Sequence, residues 1–343
     1  MDEPELLTPS RVTRVFKEIG LHSLYHSPAD TKLLCFQRFV RLLAYGGATL
    51  ILVPYLKLLG INETKIGLFM TLTLVGDILI SFFLTMFADR LGRRAVVAVG
   101  ALLMSGSGIA FALSGNYVVL LLAAIFGVIS PSGNEIGPFR AIEESALAQL
   151  SSSEVRSDIF AWYSLTSSAG AAVGTIVFGW VVQTLQARGW TTLASYRVVF
   201  FAYAATGIFK LALVCLLSKK VEPEKKPPPP HPEEEPLLRN EVAATPEVKK
   251  SLFLPHISKE TTRLTIQLCL AFALDSFASG LASMSWVMYY FYTKFNLKEG
   301  QLGTIFSIGW VISTFSVLVA SSIAKRIGNV KVSRRLRLRV VLD

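Results

Sequence analysis

Apolar residues run along this chain in continuous blocks rather than in alternation. Each block is about 20 residues long, the length a helix needs to cross a hydrocarbon core of roughly 30 Å. Windows of about 19 residues predict eight helices, at 39–58, 66–87, 95–114, 117–137, 158–184, 195–217, 264–292 and 302–324. Continuous blocks exclude a transmembrane barrel, whose strands alternate apolar and polar positions. The expected fold class is an all-α membrane protein. Composition agrees: 52% of the 343 residues are apolar, 17% are charged and the mean hydropathy is +0.50, which excludes an ordinary soluble domain. The long polar stretch 218–262 holds Pro227 to Pro230, the acidic run Glu233 to Glu235 and mixed lysine and glutamate, a composition that cannot bury a core. The expected organisation is a cytoplasmic N-terminal segment 1–38, a six-helix half 39–217, a disordered linker 218–262, two helices of a second half within 263–324, and a basic tail 325–343.

The net charge of +10 changes the picture only through its placement. Twenty-six lysines and arginines fall in the N-terminal segment, the second and fourth loops, the linker and the tail, whereas six lie in or beside the other loops. The positive-inside rule then puts both chain ends and the linker in the cytoplasm, and the charge needs no nucleic-acid partner. Segment 1–38 has no apolar run, so no cleavable signal peptide is expected and the first span serves as its own insertion signal. Trp180, Trp190, Tyr196, Tyr289, Tyr290 and Tyr292 form the expected outer aromatic belt. Asn62-Glu63-Thr64 is a glycosylation sequon in a loop too short to favour modification. Acidic dileucine patterns at 233–238 and 2–7 make a vacuole-like or endosomal membrane the alternative to the plasma membrane. Cys35, Cys215 and Cys269 have no ligand or disulfide spacing, and the four histidines lie outside the spans; no metal and no cofactor are expected.

An internal repeat organises the helices. At an offset of 236 residues, Ile66-Gly67 aligns with Leu302-Gly303, and Ala88-Asp89-Arg90-Leu91-Gly92 aligns with Ala324-Lys325-Arg326-Ile327-Gly328, without a gap. The second and eighth spans are therefore expected to be equivalents in two parallel repeats, as in secondary transporters.

The loop Ala88-Asp89-Arg90-Leu91-Gly92-Arg93-Arg94 resembles the signature between the second and third helices of the major facilitator superfamily, and the resemblance covers residues 37–328. It implies a helical bundle of that superfamily, here six plus two helices instead of twelve, and a cytoplasmic gate motif at Asp89, Arg90, Gly92, Arg93 and Arg94 that latches the halves in the outward-facing state. Gly92 permits the turn, while Asp89 can accept from the next helix's free N–H groups and pair with a basic partner. Glu135, Arg140, Glu143, Glu144 and Arg156 are candidate gate partners, with a solvated loop as the alternative. Three positions depart from the family pattern: Thr85 for a glycine, no arginine between Tyr117 and Glu135, and Thr175 where drug/proton antiporters carry proline.

Charges deep in spans are costly and mark sites. Asp77 lies twelve residues before Asp89 and Asp275 twelve after Arg263, each ~18 Å into the membrane; both are candidates for binding a proton or solute. Arg41, Tyr45 and Trp286 complete the candidate set, although Arg41 at the start of its span can instead snorkel to headgroups. The expected function is secondary transport of a small solute by alternating access, coupled to protons. The alternative is a non-transporting sensor or regulatory partner of the same fold. An enzyme is not expected, because no cytoplasmic His/Asp pair, GxSxG or P-loop occurs. Beyond solute, protons and lipid, the partner reading is self-association or pairing with a full-length relative. With six helices per half in the family, the repeat predicts that the chain stops after the second helix of its second half. It is thus expected to be a truncated product, unstable or inactive alone.

Overall fold

Helix boundaries follow local chemistry at the turns. A short α1 (Leu21–Tyr25) precedes Pro28, whose fixed φ opens α2 (Ala29–Leu58). Gly60, at φ 79, turns the chain. Asn62 then accepts a hydrogen bond from the Lys65 N–H and caps α3 (Glu63–Leu91), so the asparagine of the sequon serves as a helix cap. Gly92, at φ 90, separates α3 from α4 (Arg93–Leu113). There follow α5 (Tyr117–Gly127), α6 (Pro138–Leu150), α7 (Arg156–Ala187) and α8 (Thr192–Cys215), the last capped by Thr191. A 3-10 turn at Lys219–Val221, α9 (Met284–Lys294) and α10 (Glu299–Ile327) complete the order. The computed structural model describes residues 20–127, 129, 138–223, 266–267, 270–271, 274 and 283–327, with the side chains of 82, 85–87, 89–90, 317–318 and 320–327 outside the description.

Regular structure among the described residues is helical throughout. Five helices there are long and apolar enough to cross a membrane, and Tyr117–Gly127 is a shorter apolar one. Each of the eight expected spans meets a helix, but three boundaries are corrected. Helix α2 begins ten residues earlier than expected, because Asp30, Gln37, Arg38 and Arg41 are buried in the bundle instead of solvated. Helix α5 ends before Ile129, which is not helical although the expected span ran to 137. Residues 138–150, expected in a loop, form α6, since Phe139, Ile142, Glu143, Ala146 and Leu147 recur at helical spacing and are all buried. Residues 218–223, expected in the linker, are docked, with Val221 in a hydrophobic core. Residues Glu224–Ala282 make a second compact unit, in which the described residues, Ile266, Gln267, Leu270, Ala271 and Leu274, are helical and exposed.

Helix α2 lies at the centre, packed on α7 and α8, while α4 packs on α8 and α5, and α3 on α5 and α6. In a lipid-like setting close backbone approach replaces the hydrophobic drive between helices. A Cβ on Gly170 or Gly174 of α7 would collide with the carbonyls of Phe39 or Leu43, and one on Gly46 with that of Ala171. A Cβ on Gly47 would likewise run into the Phe178 ring. Two cores occupy the ends of this bundle. The proximal one, where α2 and α7 begin, gathers Leu34, Cys35, Val97, Ile142, Ile159 and Val214; Cys215 by contrast is exposed. The distal one holds Tyr55, Phe69, Phe111 and Phe200, with ring centroids of Tyr55 and Phe111 4.8 and 4.9 Å from that of Phe200.

The repeat is visible in the helix limits. Glu63 and Glu299, which open their helices, are 236 residues apart. The helices before them end at Leu58 and Lys294, again 236 apart.

The glycine contacts generate a test. Gly174→Ala forces α2 and α7 apart and should destabilise the fold by about 1–3 kcal/mol, read as a lowered midpoint of thermal unfolding in detergent. Gly106→Ala, where nothing lies within 4 Å of the added Cβ, should match the wild type or exceed it.

Candidate functional site

The proximal half of the bundle is built around one carboxylate. Amphipathic α6 turns Glu143 inward, where it is fully buried. Arg41 of α2 donates to it twice, Nη1 to Oε1 at 2.9 Å and Nη2 to Oε2 at 2.8 Å. Lys210 Nζ of α8 donates to Oε1 at 3.2 Å and the Tyr163 hydroxyl of α7 to Oε2 at 2.6 Å. Arg38 extends the set by donating to the Tyr163 hydroxyl at 2.7 Å while its guanidinium lies 4.1 Å from the centre of that ring. Phe139 presents its ring to Lys210 and Arg41 at 4.5 and 5.2 Å. The snorkelling expected of Arg41 is therefore overturned: a bidentate carboxylate inside the bundle holds the guanidinium more strongly than headgroups at the surface can. Lys210 was missed, although an ionisable residue within span 195–217 was the same signal that marked Asp77.

The expected gate residues fall in several places. The N–H groups of Arg93 and Arg94 donate to Glu222 Oε2 and Oε1 at 2.7 and 3.2 Å, so a residue assigned to the linker occupies the free helix start expected to attract Asp89. Arg93 Nη1 donates to Gln149 Oε1 at 2.7 Å, and Gln149 Nε2 donates to the Glu222 carbonyl at 2.9 Å. This ties α4, α6 and the end of the described first segment together beside Gly92. The side chains of Asp89 and Arg90, and all of Glu135, lie outside the described residues. Arg140 and Glu144 pair with each other at 2.7 Å near the surface, and Arg156 donates to the Ser151 carbonyl; Glu143 sits in the buried network.

Of the candidates deep in the spans, Asp77 is 1% exposed on α3, next to Gly76, which packs on Ile125 of α5. Tyr45 is buried on α2. Trp286 is partly buried on α9, its ring edge-on to Tyr289 at 5.7 Å. Asp275 lies outside the described residues.

A second polar cluster was not foreseen. Helix α10 lies on α7 through small residues: a Cβ on Gly179 would meet the Glu299 carbonyl at 2.6 Å, and one on Gly303 would collide with the carbonyl of Thr175. Around this crossing Glu299 is 5% exposed and accepts from the Tyr196 hydroxyl at 2.8 Å and from Gln186 Nε2 at 3.0 Å. The Gly300 N–H donates to Gln183 Oε1 and Trp180 Nε1 to Thr304 Oγ1, both at 3.1 Å. A cavity of about 440 Å³ adjoins it, lined by Gln183, Gln186, Thr192, Tyr292 and Glu299 among others. Tyr196, expected in the outer aromatic belt, is buried and bonded here, whereas Trp180, Trp190 and Tyr290 are half-exposed. Burial then fades along α10, from Gly300 and Gly303 through Ser307 to half-buried Trp310 and Thr314.

This arrangement, long apolar helices joined by glycine crossings, is that of a helical membrane protein. Residues 34–342 match the Major Facilitator Superfamily. The chain is also 37% identical over 316 residues to the uncharacterized membrane protein YJR124C of Saccharomyces cerevisiae, a match covering 88% of this chain and 69% of that one. It is 26% identical over 209 residues to the quinolone resistance protein NorA of Staphylococcus aureus, covering 61% of this chain and half the length of NorA. The chain belongs to the major facilitator superfamily and is an integral membrane protein.

The Glu143 network yields a second test. Removing one partner of a buried ion pair costs about 3–5 kcal/mol, so Glu143→Gln should lose the folded monodisperse species on size-exclusion chromatography. Glu144→Gln, at the surface, should stay within about 0.5 kcal/mol of the wild type.

Proposed function

We propose that the protein carries a small solute across a membrane by alternating access, coupled to protons, with the proximal end in the cytoplasm. The observation that supports this most directly is the seam between α7 and α10. It is packed backbone to backbone at Gly179 and Gly303, and burial along α10 falls toward Trp310 and Thr314. A cross-repeat contact that is tight at one end and less buried toward the other is what a carrier open to one side would present. Family membership makes transport the natural use of that geometry.

Asp77 is the proposed proton carrier among the described residues, with Asp275 the candidate in the second repeat. A carboxylate buried to 1% on a membrane-spanning helix is costly and so implies a function. The motif from Ala88 to Arg94 serves as the cytoplasmic latch in the opposite state. The solute class is open to direct assay; the name of NorA concerns quinolone resistance, so amphipathic drugs belong in the first panel, although Thr175 replaces the proline of the drug-antiporter pattern. Thr175 instead bonds its hydroxyl to the Ala171 and Ala172 carbonyls and keeps α7 regular where Gly303 crosses it.

Proteoliposomes with an imposed pH gradient test the reading. Gradient-dependent flux of at least one solute is expected for the wild type, with Asp77→Asn losing the gradient-driven part while retaining exchange. Equal pH dependence in wild type, Asp77→Asn and Asp275→Asn would discard the coupling assignment.

The orientation has its own check. A cysteine introduced at Glu233 should resist an impermeant thiol reagent in intact cells, while one at Gly60, in the distal turn, should react. Reversed labelling would overturn the assignment.

A further inference from the structure

The distal crossing contains a feature that close packing alone does not require. Small residues on both helices already allow α7 and α10 to touch, yet a carboxylate is buried at the edge of the contact. Glu299 belongs to the second repeat, and its bonded donors, the Tyr196 hydroxyl and the Gln186 amide, belong to the first. Burying a carboxylate costs several kcal/mol of hydration, which charge-assisted hydrogen bonds return in large part. An apolar side chain at this position would close the seam without that cost and leave it hard to reopen. A carboxylate makes closure conditional, because parting the helices returns the charge to water, and the adjoining polar cavity of about 440 Å³ gives water a place to enter. Two states whose polar gains and losses nearly cancel can interconvert.

We propose that Glu299, Tyr196 and Gln186 form a releasable lock holding the distal ends of α7 and α10 together, which makes Glu299 a positioning residue for one access state of the carrier. The inference rests on the alternating-access reading above and names the residues that set its distal gate. The repeat supplies an internal control. Glu63 occupies the equivalent position in the first repeat, 236 residues earlier, but its side chain is 67% exposed and pairs with Lys57 at 2.6 Å. An acidic residue at the start of this helix is thus not by itself a lock; the donors on α7 and α8 make it one.

Hydrogen–deuterium exchange of the 343-residue protein in lipid nanodiscs, read by mass spectrometry, tests the lock without requiring a known solute. Tyr196→Phe and Glu299→Ala should each raise exchange in peptides from 175–187 and 299–307 by about tenfold, the factor that loss of one charge-assisted hydrogen bond supplies. Exchange in α4 should be unchanged, and Glu63→Ala should match the wild type everywhere. Unchanged seam peptides in both variants would overturn the proposal, as would an equal rise in α4, which would signify general destabilisation. Proton-driven flux in proteoliposomes separates this inference from the reading it rests on. A loosened seam without flux in any variant upholds the lock while the transport reading fails; flux with an unaltered seam removes the lock and leaves transport standing.

Discussion

Everything at the proximal end depends on Glu143 being ionised and surrounded. A lone carboxylate in that position would be prohibitive; with Arg41, Lys210 and Tyr163 donating to it, it becomes the point where α2, α6, α7 and α8 meet. Its demands explain several features that otherwise look unrelated. Helix α2 extends beyond the apolar block because Arg38 and Arg41 must project into the bundle from regular helical positions. The segment after α5 folds back as an amphipathic helix because only a helix places Phe139, Ile142, Glu143 and Ala146 on one face. Glycines at the α2–α7 crossing then bring those helices close enough for Tyr163 and Arg41 to share one carboxylate.

The two ends of the molecule are held by different chemistry, and the difference suits their roles. The proximal network lies within one repeat and joins full charges of opposite sign, so breaking it leaves an ion stranded in a low-dielectric interior. The distal crossing lies between repeats and sets a carboxylate against a phenol and an amide over a backbone contact of glycines. The first arrangement resists separation, whereas the second can part and rehydrate at little net cost. In the proposed alternating access, repeats that move as rigid bodies need cohesion within each and reversibility between them.

How much of this was legible in the sequence follows from what each signal reports. Apolar block length marked the spans, and the 236-residue offset is matched by the helix limits at Glu63 and Glu299 and at Leu58 and Lys294, because both depend on local hydrophobicity and turns. The buried polar sites depend on neighbours distant in sequence. Glu143 was placed among the gate residues as one of a cluster of charges that could dock on the second loop, yet its partners Arg41 and Lys210 lie 102 and 67 residues away, and no local pattern connects them. Lys210 could have been found, since a lysine inside an apolar block is conspicuous. Glu222 could not: its role at the start of α4 comes from the 3-10 turn that returns the chain to the bundle, in a segment whose composition reads as linker.

The pair Glu63 and Glu299 isolates that distinction more sharply than any single residue. Both open a helix at the same register of the repeat, and both stand four residues before a glycine, Gly67 and Gly303. Gly67 has nothing within 4 Å of where a Cβ would be, while Gly303 lies directly on the Thr175 carbonyl. Glu63 reaches outward to a lysine, and Glu299 turns inward to a tyrosine. Helical propensity and local hydrophobicity cannot produce opposite environments at positions so alike. Helix α7 produces them, by lying against one copy of the repeated helix, so that the same acid followed by the same glycine is a surface ion pair in one repeat and a gate element in the other.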